Sequence, residues 1–220
     1  MTAVAPRAVL VSLFLGGLPG LAAEHLSVDG NARKNTVTAI FDAPLGERIT
    51  AVSSAVACDA TWEPQSGLVS GSCSLPLTSL KVDGDDTKTG HFRQWATNKK
   101  SDPARCVLAA RFDAVQLPTG LQPDVPQPFT AELSFRVCGR AREDGGTERV
   151  NGTLVLLGTD RRLRIRARIE HFQREAYRIG PRFTDGWLAR VQTLAKVVAE
   201  EGELELTLFA APAAKADAGL

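Results

Sequence analysis

Three histidines and four cysteines are among the side chains of this sequence that could hold a metal ion or act in catalysis. His25, His91 and His171 are far apart in sequence, and none lies in a metal-binding or nucleophile motif. Neither a G-x-S-x-G sequence, which presents a catalytic serine, nor a glycine-rich phosphate loop occurs. We therefore predict no catalytic residues, no metal site and no cofactor, and an enzyme is the least favoured function.

The cysteines Cys58, Cys73, Cys106 and Cys138 favour disulfide chemistry. An even number of cysteines is typical of exported, disulfide-bonded chains. Zinc is the competing partner, but the C-x-x-C pair or nearby histidine expected of a zinc site is missing around these cysteines. The sequence therefore predicts two disulfides.

Residues 1–23 have the layout of a secretory signal peptide. Arg7 precedes an apolar run over residues 8–18, and Ala22 and Ala23 offer a small-residue cleavage site. A buried N-terminal helix is the alternative. We predict a periplasmic or secreted protein, and no later segment has the length of an integral membrane helix.

The charge balance argues against nucleic acid as a partner. Without Arg7 the remaining chain has 25 basic and 25 acidic residues. Proteins that bind nucleic acid usually have an excess of positive charge, which neutralises phosphates. We predict no nucleic-acid partner, and the composition leaves the oligomeric state undefined.

Alternating polar and apolar residues predict short strands that position these side chains. Residues 150–157 and 162–172 fold as a hairpin that pairs Leu156 with Leu163 and Leu154 with Ile165. One face of this hairpin is apolar, and by strict alternation it includes His171, which we interpret as a histidine at the end of the core. The other face carries the arginines, which we interpret as solvated rather than as a phosphate-binding patch: Arg162, Arg164, Arg166 and Arg168.

A second hairpin contains the first two cysteines. Around a turn at residues 63–68, Trp62 opposes Val69 and Cys58 opposes Cys73. Directly opposed residues have Cβ atoms close enough for a disulfide, so we predict the pair Cys58–Cys73. Cys106–Cys138 then follows by elimination, and the strands around it need a β-bulge, because a regular register would set Phe112 against a glutamate.

The remaining segments complete a single domain. Further strands are predicted near residues 26–29, 36–41 and 203–209, a helix begins after Asp185, and residues 84–103 form a loop or a short helix. We assign residues 24–209 to one barrel domain and residues 210–220 to a disordered tail.

Four segments resemble, in the same order, segments of the YceI-like family of periplasmic, lipocalin-like, polyisoprenoid-binding barrels. Residues 68–80 resemble the strand that leads into the family's T-G-x-x-x-R segment, and residues 89–93 stand where that segment belongs. Residues 102–112 are similar to its proline-led strand that ends in Phe, and residues 174–180 resemble its R-x-x-Y-G-I element. Gln94 departs from the Asp that the family usually has after its arginine.

This resemblance implies an all-β fold, an antiparallel eight-stranded lipocalin-like barrel with one or two short helices and an apolar lumen. It also implies that the lumen binds a polyisoprenoid lipid or an isoprenoid quinone, as a carrier or storage protein of the cell envelope, without catalysis. The lumen candidates are Phe112, Leu133, Phe135, Leu154, Ile165 and Leu206. A barrel filled by its own side chains, with a structural or protein-interaction role, is the alternative, because core and lumen residues are of the same types.

Overall fold

A computed structural model describes residues 23–158, 162–180 and 198–213 of the chain. The predicted signal peptide lies, except for Ala23, outside the described residues. The helix predicted after Asp185 and the end of the predicted tail also lie outside them.

Strands make up most of the described residues. They are β1 (Glu24–Val28), β2 (Thr36–Asp42), β3 (Arg48–Ser53), β4 (Ala57–Glu63), β5 (Leu68–Pro76), β6 (Lys81–Val82), β7 (Val107–Gln116), β8 (Gln127–Val137), β9 (Glu148–Leu157), β10 (Arg162–Gln173) and β11 (Glu201–Pro212). One α-helix, α1 (Asp86–Thr97), occurs within the described ranges, together with short 3-10 turns at Pro44–Gly46, Leu77–Ser79, Pro103–Arg105 and Arg174–Tyr177.

The strands close into an antiparallel barrel with eight positions, as the sequence predicts. The ring runs β1–β4–β5–β7–β8–β9–β10–β11, and β11 pairs with β1 to close it. β2 pairs with the first part of β11 and β1 pairs with its end, so β1 and β2 occupy the same position in the ring, next to β11. Because β3 pairs with β2, it occupies the same position as β4; because β6 pairs with β3, it occupies the same position as β5.

The predicted hairpin of β9 and β10 has the expected register. Leu163 pairs with Leu156, and Ile165 pairs with Leu154. A shift by one residue would turn every apolar side chain of this hairpin to solvent, which explains why the sequence specifies the register so well. The alternation fails at the end of β10, where the pairing with β11 shifts between Ile169 and Phe172.

Both predicted disulfides are present. Cys58 pairs with Cys73 across β4 and β5 and is bonded to it. Cys106 is bonded to Cys138, which follows β8 in a left-handed conformation with φ of 48° and stands outside the regular ladder. β7 and β8 pair regularly from Leu108–Val137 to Arg111–Ser134, one residue away from the register that would oppose Cys106 and Cys138, so apolar residues face each other, such as Ala110 with Phe135. The β-bulge predicted between these strands is therefore absent from their paired residues, because this register already brings the apolar faces together.

Residues 84–103 contain a helix rather than a loop alone. The Asp85 side chain caps α1 by accepting a hydrogen bond from the backbone N–H of Lys88 at 2.9 Å, and Asn98 ends the helix in a left-handed conformation. The predicted tail begins too early, because β11 continues through Pro212 and pairs there with Leu26 of β1.

The barrel interior has two halves. The half around the pairing of β1 with β11, which we call the filled half, is packed with buried side chains that include Leu26, Trp62, Leu154 and Leu163. The other half, next to α1, contains a cavity, and we call it the cavity half. Strands such as β7, β10 and β11 contribute inward residues to both halves, whereas β1, β4 and β9 supply none of the residues that line the cavity.

Candidate functional site

The cavity half encloses about 690 Å³. This volume lies in the range of sites that bury a drug-sized ligand, roughly 300–1,000 Å³. The wall is formed by inward-facing residues of the barrel strands and by one face of α1. Its apolar side chains include Val37, Ala39, Phe41, Ile49, Ala51, Leu75, Phe92, Trp95, Leu108, Ala110, Leu133, Phe135, Ile169, Phe172, Leu204 and Leu206.

Strand alternation explains why this wall is apolar. Val37, Ala39 and Phe41 are every second residue of β2, and Leu204 and Leu206 have the same spacing on β11. Successive side chains of a strand point to opposite faces, so each strand turns one apolar row inward. α1 covers the wall with Phe92 and Trp95, which lie three residues apart on one side of the helix.

Aromatic rings form one side of the cavity. Phe135 meets Phe172 edge to face with ring centroids 5.6 Å apart, and Phe41 meets Phe172 at 6.4 Å. Behind these rings lies Tyr177, whose ring stacks on Phe172 at 5.2 Å. Such edge-to-face and stacked pairs hold rings in defined orientations, so this part of the wall is ordered although one side of it faces a cavity.

A buried polar network supports the aromatic wall from outside. The Tyr177 hydroxyl donates to the Glu148 Oε1 at 2.6 Å, and Arg142 donates to the same oxygen at 3.0 Å. Burial and then the hydrogen bond to Glu148 raise the pKa of Tyr177 well above its usual value. The carboxylate of Glu148 thus accepts a hydrogen bond from Tyr177 and is paired with the positive charge of Arg142. The network therefore stabilises the wall without leaving a buried charge unpaired.

Arg174 supports the same end of the barrel. Its side chain is almost fully buried and donates to three carbonyl oxygens, those of Val198, Ala199 and Ile179, at 2.7–2.8 Å. A guanidinium can satisfy several carbonyl groups at once because its donors form a rigid fork. Arg174 thereby fixes the segment that leads into β11 against the segment that follows β10.

Most of the charged side chains that line the cavity stand at its mouth, whereas Arg174, which also lines it, is buried. Glu47 stands on the β2–β3 hairpin, and Asp85, Lys88 and His91 stand on or beside α1. Lys88 donates to the nearby Asp83 at 2.8 Å, and this hydrogen bond raises the pKa of Lys88. Leu45 at the tip of the hairpin is fully exposed and also borders the mouth.

The predicted lumen residues fall into two groups. Leu133, Phe135 and Leu206 line the cavity. Phe112, Leu154 and Ile165 do not line it. Leu154 is completely buried in the filled half, while Phe112 and Ile165 are partly buried against the hydrophobic core. The prediction placed all six on the inner face but could not separate the two halves, because their residue types are the same.

His171 does not lie on the apolar face, contrary to the sequence prediction. Its side chain is 77% exposed, and its Nδ1 lies 2.7 Å from the Glu201 Oε1. This hydrogen bond raises the pKa of His171. The shift in register between Ile169 and Phe172 turns Phe172 inward and His171 outward, and strict alternation could not reveal it.

Several wall residues were not predicted from the sequence. Phe172 was missed because of that shift, and Phe92 and Trp95 because the prediction for their segment, a loop or a short helix, gave it no apolar face. The three-residue spacing of these last two aromatic residues is the signal that could have identified the apolar side of α1.

The outer face of β10 matches the prediction in part. Arg168 contacts Glu203 and lies 3.9 Å from Glu205, so this arginine is paired with glutamates of β11 rather than only solvated. Arg164 and Arg166 are opposed by uncharged residues of β11, Phe209 and Thr207.

Clusters of metal ligands and long apolar helices are both absent from the part of the chain that the structure describes. No group of three or more His, Cys, Asp or Glu side chains there could hold a metal ion. No helix in these ranges is both long and apolar enough to cross a bilayer.

A closed eight-stranded antiparallel barrel with an apolar cavity at one end is therefore the class of protein to which the geometry belongs. No family model and no curated protein sequence matches this chain. Among solved structures, it is similar to a polyisoprenoid binding domain from Saccharophagus degradans implicated in plant cell wall breakdown. The TM-score is 0.60 with 13% identity, over 85% of this chain and 98% of that one.

A second similar structure is BcnA from Burkholderia cenocepacia. The TM-score is 0.58 with 16% identity, over 83% of this chain and 98% of that chain. At these identities the likeness concerns the fold. The barrel fold that the resemblance to the YceI-like family implied is thus confirmed.

Proposed function

We propose that this protein binds a long apolar ligand, a polyisoprenoid lipid or an isoprenoid quinone, in the cavity half of its barrel. The observation that carries the proposal is the 690 Å³ cavity, whose wall is mainly hydrocarbon and most of whose charged side chains stand at the mouth. An apolar wall of this kind gains free energy when it is covered by an apolar chain, at about 25 cal/mol per Å² of buried surface. A lipid tail inside and a polar group at the mouth fit this distribution.

The solved structures support the same ligand class. One of the two similar folds is a polyisoprenoid binding domain, and this chain aligns with nearly the whole of it. We propose binding without catalysis, because Arg174, the buried charged side chain that lines the cavity, is bound to backbone carbonyls and Lys88 at the mouth is engaged with Asp83. The protein would serve as a carrier or storage protein.

We further propose that the protein works in the cell envelope, after export to the periplasm or secretion. Two disulfides support this location, because disulfides persist in oxidising compartments and are rare in the reducing cytosol. Residues 1–23 supply the predicted signal peptide.

The test is mass spectrometry of organic extracts from protein purified natively from the envelope. We compare the wild type with Leu206→Gln, which places an amide on the cavity wall, and with Val52→Gln, a matched change on the exposed outer face of β3. We expect a stoichiometric isoprenoid with the wild type and Val52→Gln, and a several-fold loss of ligand with Leu206→Gln. A folded wild type that carries no apolar ligand would contradict the proposal and favour a structural barrel.

A further inference from the structure

The cavity wall ends part-way along the barrel strands. On β11, Leu206 lines the cavity, but Leu208, the next inward residue, does not. On β7, Ala110 lines the cavity and Phe112 does not. On β10, Ile169 is the last lining residue toward the filled half, and neither Ala167 nor Ile165 beyond it lines the cavity. Strands on different sides of the barrel therefore stop contributing to the wall before the filled half begins.

Inward residues beyond these positions separate the cavity from the filled half. Leu208 is buried and pairs with Ile165 across β10 and β11, and Ile165 pairs with Leu154, which is completely buried. Phe112 lies on the other side of the ring, next to Gly71 of β5. We call Phe112, Ile165 and Leu208 the floor of the cavity; Phe112 and Ile165 are partly buried and pack against the core. Beyond the floor, the filled half is occupied by its own side chains, so the cavity has its mouth at one end and the floor at the other.

We propose that the floor sets the length of the apolar chain that this barrel holds. The inference rests on the proposed function, since it concerns the tail of the proposed ligand. A chain that enters through the mouth buries more methylene groups as it becomes longer, until its end meets Phe112, Ile165 and Leu208. Carbons beyond that length stay at the mouth in water and add no affinity.

The expected signature is a plateau in a series of prenols. We would measure displacement of the fluorescent apolar probe 1-N-phenylnaphthylamine by geraniol, farnesol, geranylgeraniol and solanesol, using delipidated full-length protein. Each isoprene unit that is fully buried should tighten binding at least about tenfold, and the gain should stop at the prenol that fills the cavity. The prenol at which the gain stops is the quantity that the variants should change.

Two changes should move the plateau in opposite directions. Ile165→Ala removes bulk from the floor and should shift the plateau to a longer prenol. If this variant folds poorly, the milder changes Ile165→Val and Phe112→Leu replace it, and each should give a smaller shift in the same direction. Ala110→Leu adds bulk to the wall directly above Phe112 and should shift the plateau to a shorter prenol. Leu26→Ala is the matched control, because it removes a buried side chain of the filled half away from the cavity.

The outcomes separate this inference from the proposed function. If every folded variant reaches its plateau at the same prenol as the wild type, the floor does not set the length and the inference is overturned, while lipid binding stands. If Leu26→Ala shifts the plateau as much as Ile165→Ala, loss of packing rather than the floor is responsible, which also overturns it. If the wild type binds no prenol at all, the proposed function fails and the inference fails with it.

Discussion

In the filled half of the barrel, apolar side chains meet each other across the interior, whereas in the cavity half they line about 690 Å³ of space. Buried side chains such as Leu154 and Leu163 gain contacts on all sides. A wall residue such as Leu206 lacks partners on its inner side and loses the dispersion energy that those contacts would supply. The two halves therefore need different means of stabilisation, although strands such as β7, β10 and β11 contribute to both.

The cavity half is stabilised by interactions around its wall. Both disulfides lie there: Cys73 lines the cavity, and Cys106–Cys138 joins the ends of β7 and β8 near α1. The Tyr177–Glu148–Arg142 network stands behind the aromatic wall, and Arg174 ties adjacent segments together through backbone carbonyls. The comparison teaches that a barrel can hold a cavity open when cross-links and buried hydrogen bonds replace the missing core contacts.

The largest expected effect compares Leu154→Ala with Leu206→Ala. Leu154→Ala creates a void in a packed region and should lower the free energy of unfolding by about 2–5 kcal/mol. Leu206→Ala enlarges an existing cavity and should cost clearly less, about 1 kcal/mol, since part of its side chain already faces that cavity. Denaturant unfolding of delipidated variants measures both, and equal losses would show that the cavity half is packed like the filled half.

A smaller effect is expected from the network behind the wall. Tyr177→Phe removes the hydrogen bond to Glu148 and should destabilise the protein by about 1–3 kcal/mol. Leu163→Ala in the filled half provides the comparison, because it removes apolar packing and leaves the hydrogen bonds of the network intact. If Tyr177→Phe had no effect on unfolding, the idea that buried hydrogen bonds support the cavity half would be wrong.

The stability that Tyr177 contributes to the folded protein should fall at high pH. The pKa of Tyr177 is raised in the folded state, so the unfolded chain loses this proton near pH 10 while the native protein retains it. The stability contributed by the group is fully present below about pH 10 and declines as the pH rises above it. Tyr177 is the single tyrosine of the chain, so ultraviolet absorbance should show no phenolate in the native protein at pH 10. Half-ionisation at that pH before unfolding would contradict the network.

The smallest effect concerns the outer face of the filled half. Arg164 and Arg166 lie opposite uncharged residues of β11, and packing inside the barrel should stabilise this region without them. The double change Arg164→Ala and Arg166→Ala should alter the free energy of unfolding by less than about 1 kcal/mol. Binding to anionic vesicles should be weak before and after the change, as measured by co-sedimentation. Strong vesicle binding that the double variant abolishes would instead indicate a membrane-docking face.

Local sequence patterns predicted much of the fold. The register of β9 with β10 and the pair Cys58–Cys73 follow from alternation on two adjacent strands joined by a short turn, because a wrong register would expose an apolar row. The pattern failed where one residue broke the alternation, as at His171 and Phe172. It also failed to extend β11 through Pro212, where pairing with β1 decides the length of the strand.

The sequence by itself determined which side chains face inward, because the two-residue period of a strand assigns every second residue to the interior. Only the tertiary structure decided which inward residues surround space. Leu133 and Leu206 line the cavity while Leu154 is buried, although all three are inward-facing leucines. Whether space remains at a given level depends on the summed volume of the side chains that eight strands and a helix bring there, and residues from distant parts of the chain contribute to each sum.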